Sequence, residues 1–142
     1  MSVIENYLVI DNLGSYDRGA NARGLSVWDL LPTGVVWSFV GCSHKIENPQ
    51  KLIPKLLLGD IGIAVVIAPF HIKENEALIV KPDGDLMWDV RAAAKAIIGP
   101  GIFSDVYYVS GQLCFFVNIH NLDYRFSFDV VSGAVGVLIP SC

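Results

Sequence analysis

The sharpest pattern along the chain lies near its C-terminal end. In residues 124–130, Tyr124, Phe126, Phe128 and Val130 alternate with Arg125, Ser127 and Asp129. That period of two predicts a strand with one buried and one wet face. Residues 134–138 follow beyond Ser132-Gly133, and residues 106–109 and 113–117 flank Ser110-Gly111. Residues 77–80 and 86–90 flank Lys81-Pro82-Asp83-Gly84-Asp85 in the same way. Apolar runs on either side of a glycine-centred turn predict hairpins. Three such turns, at Gly84, Gly111 and Gly133, predict successive hairpins of an antiparallel meander. The intervals between these glycines are unequal and no motif recurs at a fixed period, so a blade-repeat architecture is not expected.

Residues 7–10 predict a first strand, ended by Asp11-Asn12-Leu13-Gly14. Residues 11–26 carry no apolar period and read as a long loop. Residues 26–31 suit one helical turn before Pro32, and the β-branched and aromatic residues 35–40 suit a strand. A helix is predicted between Asn48 and Gly59, with Asn48 as cap, Pro49 at the first position and Gly59 at the exit. Leu52, Ile53, Leu56 and Leu57 would form its apolar stripe, and Pro54 would have to sit in its first turns. Residues 61–68 are apolar at every position, which predicts an interior strand covered on both faces. Asp89 should cap a second helix over residues 91–98, closed by Gly99 and Pro100. The expected architecture is a single globular α+β domain over residues 1–142. It is mainly an antiparallel β meander of hairpins with two short helices packed on the sheet.

Composition narrows the classes of function. The chain has 142 residues, of which 53% are hydrophobic and 17% charged, against about 25% charged in an average domain. A chain of this balance folds rather than staying disordered. The uncharged apolar run from Ile61 to Phe70 is half the roughly 20 residues a membrane span needs. No basic start followed by an apolar stretch and a cleavage site is present, so no signal peptide is expected. Cys42, Cys114 and Cys142 are odd in number and widely spread, which suits reduced thiols in a cytoplasm.

The formal net charge is -4. Residues 76–142 hold Lys81, Arg91, Lys95 and Arg125 against Glu76, Asp83, Asp85, Asp89, Asp105, Asp123 and Asp129. No Lys/Arg cluster is present to displace phosphate counterions, so nucleic acid is not an expected partner. The acidic half would attract a basic protein; the same charge also serves solubility alone.

Candidate chemistry is sparse. Cys42 and His44 would share one side of a strand and could contribute to a zinc or nucleophile site. Zinc needs about four ligands, and Cys114 and His120 could complete a set only by a coincidence of folding. Asp83-Gly84-Asp85 lacks the downstream glutamate of a calcium loop. No phosphate-cradling glycine loop or nucleophile elbow appears. Neither metal, cofactor nor catalysis is expected. Loop 11–26 is of another kind. Its Tyr16, Asp17, Arg18 and Arg23, with Trp28 and Asp29 beyond it, mix aromatic and ionic groups as recognition surfaces do. Together with Asp83, Asp85 and Asp123 they form the candidate partner-binding set. A solvated excursion is the alternative reading of the loop.

With its acidic single domain, absent catalytic motif and aromatic hairpins such as residues 124–136, the chain resembles the small cytoplasmic immunity proteins encoded beside bacterial contact-dependent toxins. The resemblance is one of overall character and maps no individual residue. It implies a cytoplasmic inhibitor that binds a cognate toxin domain, commonly a basic nuclease, by charge and shape complementarity. The rival expectation is a small-molecule-binding or enzymatic domain with a pocket between sheet and helix.

Overall fold

The computed structural model describes residues 3–11, 17, 19–68 and 75–141. Its elements run β1 (Glu5–Ile10), α1 (Val27–Leu30), β2 (Gly34–Phe39), β3 (Cys42–Glu47), β4 (Leu52–Leu56), β5 (Ile63–Ile67), β6 (Glu76–Val80) and β7 (Leu86–Asp89). Then follow α2 (Val90–Ile98), β8 (Ile102–Val109), β9 (Gln112–Ile119), β10 (Leu122–Ser127) and β11 (Ile139–Pro140). All pairings are antiparallel and build three sheets: β1-β2-β3, β4-β5-β6-β7 and β11-β10-β9-β8.

The central sheet is the middle layer. Along β5 successive side chains point to opposite faces. Ala64 and Val66, with Ala77 and Ile79 of β6, enter a core shared with Val90, Ala94 and Ile98 of α2 and with the inner face of the C-terminal sheet. Ile63 and Val80 enter a second core with Ile4, Val35 and Trp37 of the N-terminal sheet. The strand expected from the run 61–68 is therefore interior, lying between β4 and β6 with apolar layers on both sides. Phe115 is the hub of the larger core. It meets Phe103 and Phe128 edge-on and stacks on Phe126, with centroids 6.0, 6.1 and 6.0 Å away. Such pairs are each worth about 0.5–1.5 kcal/mol beyond the area they bury.

The expected α+β balance is overturned: three antiparallel sheets dominate. Among the described residues, helix is confined to the four-residue α1, the nine-residue α2 and a 3-10 turn at Leu58–Asp60. α2 forms as its signals imply, with Asp89 Oδ1 accepting from the Ala92 amide at 3.1 Å and Val90, Ala94 and Ile98 buried on one stripe. The helix expected between Asn48 and Gly59 does not form; β4 occupies that stretch. The spacing misleads because an interval of four places two residues on one side of a helix and equally on one side of a strand. Ile53 of β4 and Leu57 just beyond it face the larger core, while Leu56 faces the smaller one. Pro54 is tolerated because β4 is an edge strand and its missing N–H is not needed by a second neighbour. Asn48, instead of capping a helix, receives the Gln50 amide on Oδ1 at 3.0 Å and donates from Nδ2 to the Ala68 carbonyl at 3.1 Å.

The hairpins expected at Gly84 and Gly111 are present. A further two-residue turn joins β9 to β10 at His120-Asn121, both at positive φ (51° and 67°). This pair adopts the double left-handed conformation that two-residue hairpins favour without any glycine. The hairpin expected at Gly133 forms as a short one. Phe128 bridges Val135, the Asp129 amide donates to the Ala134 carbonyl and the Gly136 amide to the Ser127 carbonyl, and the returning chain pairs again at β11. The turn is also held by Asp129, whose Oδ1 accepts the Val131 and Ser132 amides, and by Trp88, whose Nε1 donates to the Val130 carbonyl at 2.7 Å. Gly133 lies so close over the Trp88 ring that a Cβ there would stand 2.5 Å from it.

Candidate interaction face

The structure distributes the expected binding residues over separate places. Tyr16 and Arg18 lie outside the described residues, as does the side chain of Trp28. Asp17 and Asp29 serve their own backbone: Asp17 Oδ1 accepts the Ala20 amide, and Asp29 Oδ2 closes a reciprocal cap with Ser26. Arg23 is exposed. Lys51 Nζ donates to the carbonyls of Asp29 and Leu31, tying α1 to the start of β4.

Asp83 and Asp85 sit in the exposed β6–β7 turn, with Asp83 Oδ1 accepting the Asp85 amide. That turn is fastened to the N-terminal sheet by Trp37 Nε1, which donates to the Pro82 carbonyl at 2.7 Å. Leu52, next to Lys51, pairs with Ile67, whereas Val80, next to Lys81, pairs with Ile63. α1 and the acidic turn are thus at opposite ends of the central sheet. Asp123 stands apart from both, on the C-terminal sheet. Cys42 and His44 do share one side of β3, and there His44 stacks on Trp37 at 5.7 Å. No group of three or more His, Cys, Asp or Glu able to hold a metal ion occurs among the described residues.

Around Asp123 the fold assembles a face that sequence reasoning missed. The odd positions of β9 (Leu113, Phe115, Val117) point into the larger core, so Gln112, Cys114, Phe116 and Asn118 point outward. Register then lays their neighbours beside them: Tyr107 and Ser127 flank Cys114, Asp105 and Arg125 flank Phe116, and Asp123 faces Asn118. Ile139 of β11 continues the row beyond Arg125. Tyr107 stacks on Phe116 at 4.3 Å between centroids with planes 19° apart. Phe116 is nearly covered while Tyr107 remains 44% exposed. Asp123 Oδ1 accepts from Asn118 Nδ2 at 3.0 Å.

Two shallow depressions of opposite character adjoin on this face. One, of about 340 Å³, is lined by Ser104, Asp105, Tyr107, Phe116, Asp123 and Ser141. The other, of about 280 Å³, has Arg125 with Gln112, Cys114, Ser127, Val137 and Ile139 in its lining. Burial pushes the Cys114 thiol above its usual range, and Arg125 only partly offsets that, so the group stays a protonated thiol.

Asp105 is the strained member. Its Oδ1 accepts the Val106 amide at 2.8 Å, and no Lys or Arg pairs with it among the described residues. Burial raises its carboxyl above the ordinary range, with the Val106 amide pulling the other way. A raised carboxyl means that the fold favours the neutral form. Holding the anion at neutral pH therefore costs stability; the cost shrinks as pH falls below the raised value and is gone below the ordinary carboxylate value. Asp105→Asn keeps the acceptor and removes the charge. It should melt at a higher temperature than the parent at pH 7, with the gap closing toward pH 4. A variant less stable at pH 7 would show the anion to be compensated.

The signal for this face was present in Leu113-Cys114-Phe115-Phe116-Val117, five consecutive apolar residues where a strand with one wet face alternates apolar with polar. Asp105 and Asp123 had no local signal, since only the β8–β9–β10 register brings them to one side.

A cleft of about 370 Å³ lies elsewhere, among Leu58, Ile61, Tyr108, Leu113, Phe128 and Asp129. It is not the expected pocket between sheet and helix, because the buried stripe of α2 packs directly against the core.

No protein family and no curated protein matches the chain. A solved structure does match in fold. One chain of the structure of Tne2 in complex with Tni2 superposes with a TM-score of 0.70 at 13% identity, covering 99% of this chain and 100% of that chain. At that identity the likeness is one of fold.

Proposed function

We propose that the protein is a binding inhibitor of the immunity type, which neutralises a toxin domain in the cytoplasm by occupying it and not by catalysis. One observation carries the reading. The fold matches, over nearly its whole length, one chain of a solved complex of two proteins, Tne2 and Tni2, as the resemblance to immunity proteins would have it. The outer face of the C-terminal sheet supports it. A protein interface needs aromatic anchors at its centre with a polar, charged rim. Here Phe116 stands between Asp105 of β8 and Arg125 of β10, with Tyr107 beside it and Asp123 next to Arg125 along β10. The partner is proposed to be basic. Asp83 and Asp85 then act at a distance, raising the encounter rate, while the aromatic pair sets the lifetime of the complex. Loop residues Tyr16, Asp17, Arg18 and Arg23, with Trp28 and Asp29, are proposed as a secondary contact.

Purification from the native host tests this. A stoichiometric protein should accompany the chain, and its association should slow as added salt screens the acidic field. Recovery of the chain alone, or binding indifferent to salt, would reject the reading.

A further inference from the structure

We infer that the depression between β8 and β10, floored by the stacked Tyr107–Phe116 pair and walled by Asp105 and Asp123, is a receptor for an arginine side chain of the protein partner. The inference deepens the proposed binding role and rests on it for the source of that arginine.

Three features select a cation, and among cations a guanidinium. The first is the pair of carboxylates. Asp105 is half-buried without a counter-charge among the described residues. Asp123 commits Oδ1 to Asn118, which leaves Oδ2 open to a second donor among the described residues. A carboxylate held partly out of water and unpaired in the free protein gains more from an incoming cation than an exposed one does. The second is the floor. Phe116 covers one face of the Tyr107 ring, so the exposed part of Tyr107 is its other face and edge. A planar guanidinium can lie on an aromatic surface while its N–H fork reaches a carboxylate. An ammonium is more strongly hydrated and has no fork. The third is Arg125, placed across Phe116 from Asp105 by the register and next to Asp123 along β10. Its fixed charge repels an incoming cation from the adjoining depression and so directs it toward Asp105. The acidic field of residues 76–142 alone would favour lysine as much as arginine; the ring floor distinguishes them.

The test uses the intact protein and two small probes. Isotope-labelled protein is titrated with N-acetyl-arginine methylamide and, separately, with N-acetyl-lysine methylamide, following backbone amide signals. Shifts should centre on Ser104, Asp105, Tyr107, Phe116 and Asp123, and the arginine probe should bind roughly threefold or more tightly than the lysine probe. Asp105→Asn combined with Asp123→Asn should abolish the shifts while the variant still melts cooperatively. Tyr107→Ala should erase the preference for arginine. Asp83→Asn with Asp85→Asn, on another surface, should change nothing at this site. Shifts spread over other acidic turns, equal binding of both probes, or unchanged binding by the Asp105/Asp123 variant would overturn the inference. If a protein partner co-purifies and the arginine probe ignores this depression, the inference falls while the binding role stands. If the probe binds here and no partner exists, the site stands and the binding role falls.

Discussion

Replacing Val66 by aspartate should leave no folded protein. Val66 is fully buried on the central strand of the central sheet, between Ile53 of β4 and Ala77 of β6. Its side chain lies in the larger core with Ala64, Ala77 and Ile79. None of these neighbours offers a hydrogen bond or a counter-charge, so the carboxyl would be ionised at great cost or neutralised without a partner. Either way several kcal/mol are lost, and a domain has about 5–15 kcal/mol in total. Val66→Ala, which removes volume without adding charge, should stay folded with a loss of roughly 2 kcal/mol. Soluble yield and circular dichroism during heating read both outcomes. A soluble, cooperatively melting Val66→Asp protein would mean that this strand is at an edge and that the layered arrangement is wrong.

Asn75→Ala should be the most damaging substitution of a polar side chain. Asn75 is the one buried polar residue among those described, 5% exposed. Its side chain treats Phe103 as a neighbouring strand would. Oδ1 accepts the Phe103 amide at 2.9 Å, and Nδ2 donates to the Phe103 carbonyl at 2.8 Å. Oδ1 also accepts from Arg91 Nη2 at 3.0 Å, and Arg91 Nε donates to the Asn75 carbonyl at 2.6 Å. Arg91 in turn donates to the Gly101 carbonyl and lies 5.0 Å from the centre of the Phe103 ring. One amide side chain thus joins the start of β6, the first turn of α2 and the start of β8. Truncation strands the buried amide and carbonyl of Phe103, and each stranded group costs about 1–3 kcal/mol. The expected loss is about 3 kcal/mol in urea unfolding. Asn75→Asp keeps both acceptor contacts but sets an oxygen in place of the donor, against the Phe103 carbonyl, so it too should lose stability despite its attraction to Arg91. Equal stability of Asn75→Ala and the parent would show that water replaces these bonds.

Much of the strand pattern was legible because it depends on adjacent residues. Gly84 and Gly111 mark hairpins through their positive φ, and Asp89 marks the start of α2 through a bond only three residues long. The error over residues 48–59 has a definite source. Leu52, Ile53, Leu56 and Leu57 satisfy a helical stripe and a two-faced strand equally well. The choice was made by β5, which offered β4 an open edge and an apolar layer on either side. The turn at Gly133 rests in addition on a contact with no local sequence signature, that of Trp88, far away in the chain. The interaction face was illegible for the same reason. Asp123 was visible as an acid, but its company of Asp105, Tyr107, Phe116 and Arg125 exists only once β8, β9 and β10 are in register.

The central claim is that this face, and not another, meets the protein partner. Hydroxyl-radical footprinting of the chain alone and in the complex recovered from the native host tests it at the level of side chains. Tyr107 and Ile139, exposed in the free protein, should lose most of their reactivity in the complex, while Leu8 and Val40, exposed on the N-terminal sheet, should keep theirs. Protection of Leu8 and Val40 with Tyr107 and Ile139 unchanged would contradict the account.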